Sequence, residues 1–149
     1  MLISIMGCSK YTDSTTELYS RANMIVVGKQ AFVFIHSVKS LDVKAFTDKV
    51  VGLSKMLIVD AVIAYDCPRI VETFLLVVSN ALCVLGIDHN LLPPSILRKY
   101  SLVVNDAPNI YIDDPSVEDH SIFDVEIRLR IPLRISGIFS VFQTRSLNE

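Results

Sequence analysis

The chain has 149 residues, half of them hydrophobic (51%), a fifth charged (20%), and a formal net charge of -2. That length and apolar fraction suit one domain with a real core and exclude disorder across the whole chain. The slight negative charge gives no basic footprint for phosphate backbones, so nucleic acid is not an expected partner.

Met1–Lys10 (MLISIMGCSK) starts apolar, but no positive residue precedes its short apolar run, so it does not read as a secretory signal. Nothing in the chain approaches the ~20 uninterrupted apolar residues of a membrane helix, and no membrane is expected as a partner. Cys8, Cys67 and Cys83 form no CxxC pair, which suggests neither a disulfide framework nor a zinc site. Reduced thiols and a cytoplasmic setting follow.

Strand signals then dominate. Met24–Val27 is a short apolar run ending at Gly28, and Ala31–His36 is rich in aromatic and branched residues. Leu57–Tyr65 and Thr73–Val78 flank Asp66-Cys67-Pro68-Arg69, whose Asp and Pro suit a hairpin turn. Ala81–Leu85 forms another run that stops at Gly86. Pro94–Tyr100 is the helix candidate: Pro is tolerated in a first turn, and Arg98 and Lys99 suit the C-terminal end of the dipole.

Asp106–Asp124 is acidic and broken by Pro108 and Pro115, and reads as a solvated loop. Asp113, Asp114, Glu118 and His120 lack a spacing that fixes a metal geometry, so no metal or other cofactor is expected. Across Val125–Ile135, apolar residues alternate with Glu126, Arg128, Arg130, Pro132 and Arg134, the period of a half-buried strand. Pro132 pushes that strand to a sheet edge, and Gly137 allows a turn into Ile138–Phe142. The expectation is a mostly β chain with one short helix.

Two segments carry a chemistry: Glu17–Lys29 (ELYSRANMIVVGK) and Val84–Leu92 (VLGIDHNLL). Their order resembles the retropepsin-like aspartic protease segment of copia-type retrotransposon polyproteins. That family has a catalytic loop, an apolar strand, and a later apolar-apolar-Gly stretch leading into a helix. Glu17-Leu18, Ser20, Ala22-Asn23 and Val26-Val27-Gly28 match its loop pattern Glu-Leu-Asp-Ser-x-Ala-Asn followed by Val-Val-Gly. Further fragments keep the family's order: Ile58–Val62, Ala64–Pro68, Asp88–Leu91, Asp119–Ile122 and Arg130–Leu133.

The resemblance implies a small β-barrel over residues 16–105, after a poorly defined segment 1–15 and before an acidic loop and C-terminal β-hairpin extension over 106–149. It implies a homodimer acting on a peptide or polyprotein segment. It makes Tyr19-Ser20-Arg21-Ala22 the catalytic loop and Asp66, Cys67, Pro68 and Arg69 the flap. Gly86 and Asp88 belong to the later stretch, Asp88 as a structural ion-pairing residue.

At the decisive position the family's Asp is replaced by Tyr19. The mechanism needs two carboxylates sharing a proton, one from each subunit. A phenol with pKa ~10 stays protonated and cannot serve as the base. Arg21 further departs from the glycine many retroviral-type enzymes have there. The expectation is therefore an aspartic endopeptidase by ancestry, vestigial and inactive. The alternative is a non-catalytic β-rich dimerisation or peptide-binding module. Asp13-Ser14-Thr15 is a poor substitute loop, because Thr16 and Glu17 follow it instead of a small residue and an apolar strand. No Ser–His or Cys–His pairing is favoured by the positions of His36, His89 and His120.

Overall fold

Branched and aromatic side chains fit a pleated, half-buried surface better than a helix, and this chain supplies them in nearly every segment. A computed structural model describes residues 2–5, 13–43, 52–107 and 109–147, and it is mostly β with one short helix. The strands are β1 (Leu2–Ile5), β2 (Asp13–Leu18), β3 (Val26–Val27), β4 (Phe32–Val43), β5 (Leu53–Asp66), β6 (Thr73–Cys83) and β7 (Asn90–Leu92). The helix α1 (Pro94–Lys99) precedes β8 (Leu102–Asn105), and a 3-10 turn at Asn109–Tyr111 comes next. The chain then forms β9 (Ser121–Asp124), β10 (Leu129–Pro132), β11 (Arg134–Ser136) and β12 (Phe139–Arg145).

The main sheet runs β1-β6-β3-β7-β2-β12-β5-β4, with β11 paired to β12 and β5 also paired to β6. The sheet curls back on itself, because β12 meets β5 at the single pair Arg145–Ala64. The fully buried Val27, Val59, Ile63 and Leu92 belong to its core. Each such side chain contributes on the order of 1.5–3 kcal/mol over an exposed position. A second sheet, β10-β9-β8, packs Val104, Ile122, Leu129 and Ile131 into the same core.

The 57–65 and 73–78 runs pair as a hairpin around the Asp66 turn, as expected, but β6 continues through Ser79 and Asn80 to Cys83. Asn80 takes a positive φ of 55° and donates its N–H to Asp60 Oδ1 at 2.9 Å, so the predicted break is a bulge within one strand. The helix lies where Pro94 and the basic end place it, with Leu97 buried.

The period-two strand expected over Val125–Ile135 is shorter. Residues 125–128 turn between β9 and β10, leaving Val125 and Ile127 exposed. The Asp124 carboxylate accepts the N–H groups of Glu126 and Ile127 at 2.9 and 3.3 Å, and this local turn outweighs alternation there. The pattern holds from Leu129 to Leu133, and β10 is an outer strand, as Pro132 requires.

Composition separates residues 106–149, yet the sheet does not. Strand β12 lies between β2 and β5, pairing Ser140 with Leu18 and Arg145 with Asp13. The apolar run 31–36 extends into β4, whose outer half pairs with β5 beyond the last residue that β6 supports, Ile58. That two-stranded arm exposes Val38, Leu41 and Leu57, and Phe34 and Ile35 are exposed just before it, opposite Asp60 and Ala61. Among the described residues no helix is long and apolar enough to cross a membrane.

Candidate functional site

The two segments singled out in the sequence meet through β7. Chain leaving β2 passes through Tyr19-Ser20-Arg21-Ala22 and returns as β3, and β7 inserts between those two strands, parallel to β2 and antiparallel to β3. Tyr19 donates its N–H to Leu92 O at 3.1 Å, and Ala22 donates to Tyr19 O at 3.4 Å, which turns the loop.

A buried polar chain holds this crossing. Asn90 Oδ1 accepts the Gly28 N–H at 3.0 Å, and Asn90 Nδ2 donates to Thr16 Oγ1 at 3.2 Å. Thr16 in turn shares a 2.9 Å bond with Thr144 of β12. Such groups are costly unless paired, and here four elements are joined by pairing them. Gly28 is required by space: a Cβ there would lie 2.5 Å from His89 O and 2.6 Å from Ile87 O. Asp13-Ser14-Thr15 belongs to β2, with Ser14 buried and its hydroxyl donated to Asp88 O.

Beyond Leu18 a cavity of about 450 Å³ opens, lined by Tyr19, Ser20, Arg21, Pro94, Asp106 and Phe139 among others. Tyr19 is half-buried, with its ring 5.9 Å from that of Phe139, whereas Ser20 and Arg21 are exposed. Among the described residues the one carboxylate on the wall is Asp106, which accepts from Arg98 at 3.1 Å. His120 is buried just behind this wall, and its Nε2 lies 2.8 Å from Ser140 Oγ. Burial pushes the His120 imidazole below its ordinary value, while the nearby Asp106 charge opposes the shift.

The Asp66–Arg69 turn sits elsewhere. Asp66 is bound by Arg145, which pairs with Asp13 at the other end of β2, about 17 Å along the strand from the Tyr19 loop. Arg145 Nε and Nη2 meet the two Asp66 oxygens at 2.6 and 3.1 Å, and Nη2 also reaches Thr73 Oγ1 at 3.1 Å. The hydrogen bonds from Arg145 hold the Asp66 carboxyl below the usual carboxylate range. Pro68 and Arg69 are exposed, and Cys67 donates its N–H to Glu72 O.

A smaller cavity of about 310 Å³ lies beside this turn, between Tyr65, Pro68, Pro132, Leu133 and Phe142. Burial pushes the Tyr65 phenol up to about 12, and its hydroxyl is buried without a hydrogen-bond partner.

Gly86 is exposed with open space around it, so no neighbour demands glycine there. Asp88 is exposed and pairs with Lys29, which ties the two segments together at the surface. Among the described residues no three carboxylate, imidazole or thiol groups converge to hold a metal. The sequence gives Ser140 and Phe139 no role, and Asn90 and Asp106 only membership of the Asp88–Leu91 fragment and the acidic stretch. Asn90 bonds to residues 62 and 74 positions away and Ser140 to one 20 away, and no local pattern announces such pairs.

No family profile matches the sequence, no curated protein matches it, and no solved structure matches the fold.

Proposed function

We propose that the chain is a vestigial retropepsin-like segment of a copia-type retrotransposon polyprotein, a small β-barrel silenced at Tyr19. The observation that supports this most is the insertion of β7 between β2 and β3, which seats the Tyr19–Ala22 loop against the segment after Val84-Leu85-Gly86. A loop held this way presents its first side chain at a cavity, which is what a catalytic carboxylate in that position needs. Tyr19 stands there instead.

The Asp66–Arg69 turn, the flap expected from the resemblance, lies at the far end of β2 from the Tyr19 loop. Dimerisation, a peptide or polyprotein partner and a cytoplasmic setting belong to the same proposal.

Peptide cleavage by the chain and by Tyr19→Asp, at concentrations that favour dimers and at mildly acidic pH, tests it. Activity confined to Tyr19→Asp and blocked by pepstatin is expected, by a factor on the order of 100 or more. Pepstatin-sensitive cleavage by the unaltered chain contradicts the proposal.

A second reading, a non-catalytic module that binds extended peptides, is favoured by β4. It is an edge strand with a largely exposed outer half, open to pairing by an added strand.

A further inference from the structure

We propose that Ser140 is a serine nucleophile activated by His120, acting on small carboxylic esters that enter the cavity beside Tyr19. The inference does not rest on the aspartic-protease reading, since it uses neither a carboxylate dyad nor a dimer.

Its basis is geometric. Ser140 Oγ and His120 Nε2 are 2.8 Å apart, within the distance at which a base can take a hydroxyl proton. Both residues are more than nine-tenths buried, so neither is a mobile surface side chain. Ser140 nevertheless forms part of the wall of a cavity of about 450 Å³, within the range of small-molecule sites.

The surroundings suit the role. Burial keeps the His120 ring neutral near neutral pH. In the tautomer with its proton on Nδ1, the free Nε2 is an acceptor for the Ser140 O–H, in competition with the Asp106 carbonyl oxygen 3.5 Å from Oγ. Asp106 is the charged group that acts on His120, and its carboxylate favours the imidazolium as it forms. Arg98 pairs with Asp106 and tempers that effect. Arg21, on the same cavity wall, is the cation toward which an ester carbonyl oxygen can develop negative charge.

The step balances without any co-reactant except water. Ser140 Oγ bonds to the ester carbonyl carbon while its proton passes to His120 Nε2. The bond from that carbon to the alcohol oxygen breaks, and the alcohol leaves with the proton from Nε2. Water then attacks the acyl-Ser140 carbonyl, His120 takes its proton and returns one to Oγ, and the acid departs.

The test treats the whole chain with an alkyl fluorophosphonate at pH 8 and follows the adduct by intact mass and peptide mapping. A single adduct on Ser140 is expected, absent in Ser140→Ala and formed at least about 100-fold more slowly in His120→Gln. Pepstatin is expected to leave it unchanged, which separates this outcome from that of the protease test. Labelling of the unaltered chain should slow on acidification as the imidazole gains a proton, and this readout serves if His120→Gln does not fold. An unlabelled native chain, an adduct on another residue, or a rate on Ser140 indifferent to both pH and His120 overturns the proposal.

Discussion

The two ends of the β2–β12 pair are built in opposite ways. At the Asp13 end, Arg145 spends its guanidinium on Asp66, Thr73 and the Ser146 carbonyl, closing the curl of the main sheet where it meets Ala64. At the Leu18 end, the strands part around a cavity, with Ser20 and Arg21 exposed and Ser140 on the wall. One end has its polar groups consumed by the fold, whereas the other leaves Ser20 and Arg21 where a ligand can reach. Paired groups that close a sheet stabilise it, and a site needs groups whose pairing is left to a partner.

Both ends hang from the buried chain Thr144–Thr16–Asn90–Gly28 at the middle, so breaking that chain gives the largest effect. Asn90→Ala strands the Gly28 N–H and weakens the Thr16 hydroxyl's pairing inside the core. A loss of about 3 kcal/mol is expected from the urea midpoint, since each orphaned buried group costs about 1–3 kcal/mol. Retention of full stability would mean that the crossing of β7 does not depend on this network.

Next in size is Arg145→Ala, which tests the closed end alone. Asp66 is more than half exposed and can be resolvated, so the loss is expected near the low end for a broken pair, about 2 kcal/mol by urea unfolding. The pH dependence has a definite sign. The folded-state pKa of Asp66 lies below its ordinary 3.8, so the contribution is present above that pH and is lost as pH falls through the folded value. The native chain should therefore lose stability on acidification below pH 3.8, and Arg145→Ala should show a flatter profile there. The cavity at the other end should be unaffected, seen as unchanged fluorophosphonate labelling.

The smallest effect is expected at Tyr65, beside the closed end. Its hydroxyl is buried and unbonded, so Tyr65→Phe removes a desolvated group at no loss of a partner. Thermal melting should show no loss and a gain of up to about 1 kcal/mol. The raised phenol also implies that native stability falls above pH 10 as the unfolded chain ionises first, a fall that Tyr65→Phe should remove.

Much of this architecture follows from local chemistry that the sequence states openly. Pro94 with Arg98 and Lys99 determined the helix, Asp66 and Pro68 marked the hairpin turn, and Leu129–Leu133 alternated as an edge strand must. The period failed at Val125–Arg128, because a single Asp124 carboxylate capped a turn that hydrophobic alternation cannot register. Only the tertiary structure decided that β12 belongs between β2 and β5, that Asn90 joins Gly28 to Thr16, and that His120 meets Ser140. Side-chain period depends on neighbours a few residues away, so it is written in any short window. A hydrogen bond between strands far apart in the chain depends on how the sheet curls, and that emerges only when all the strands pack together.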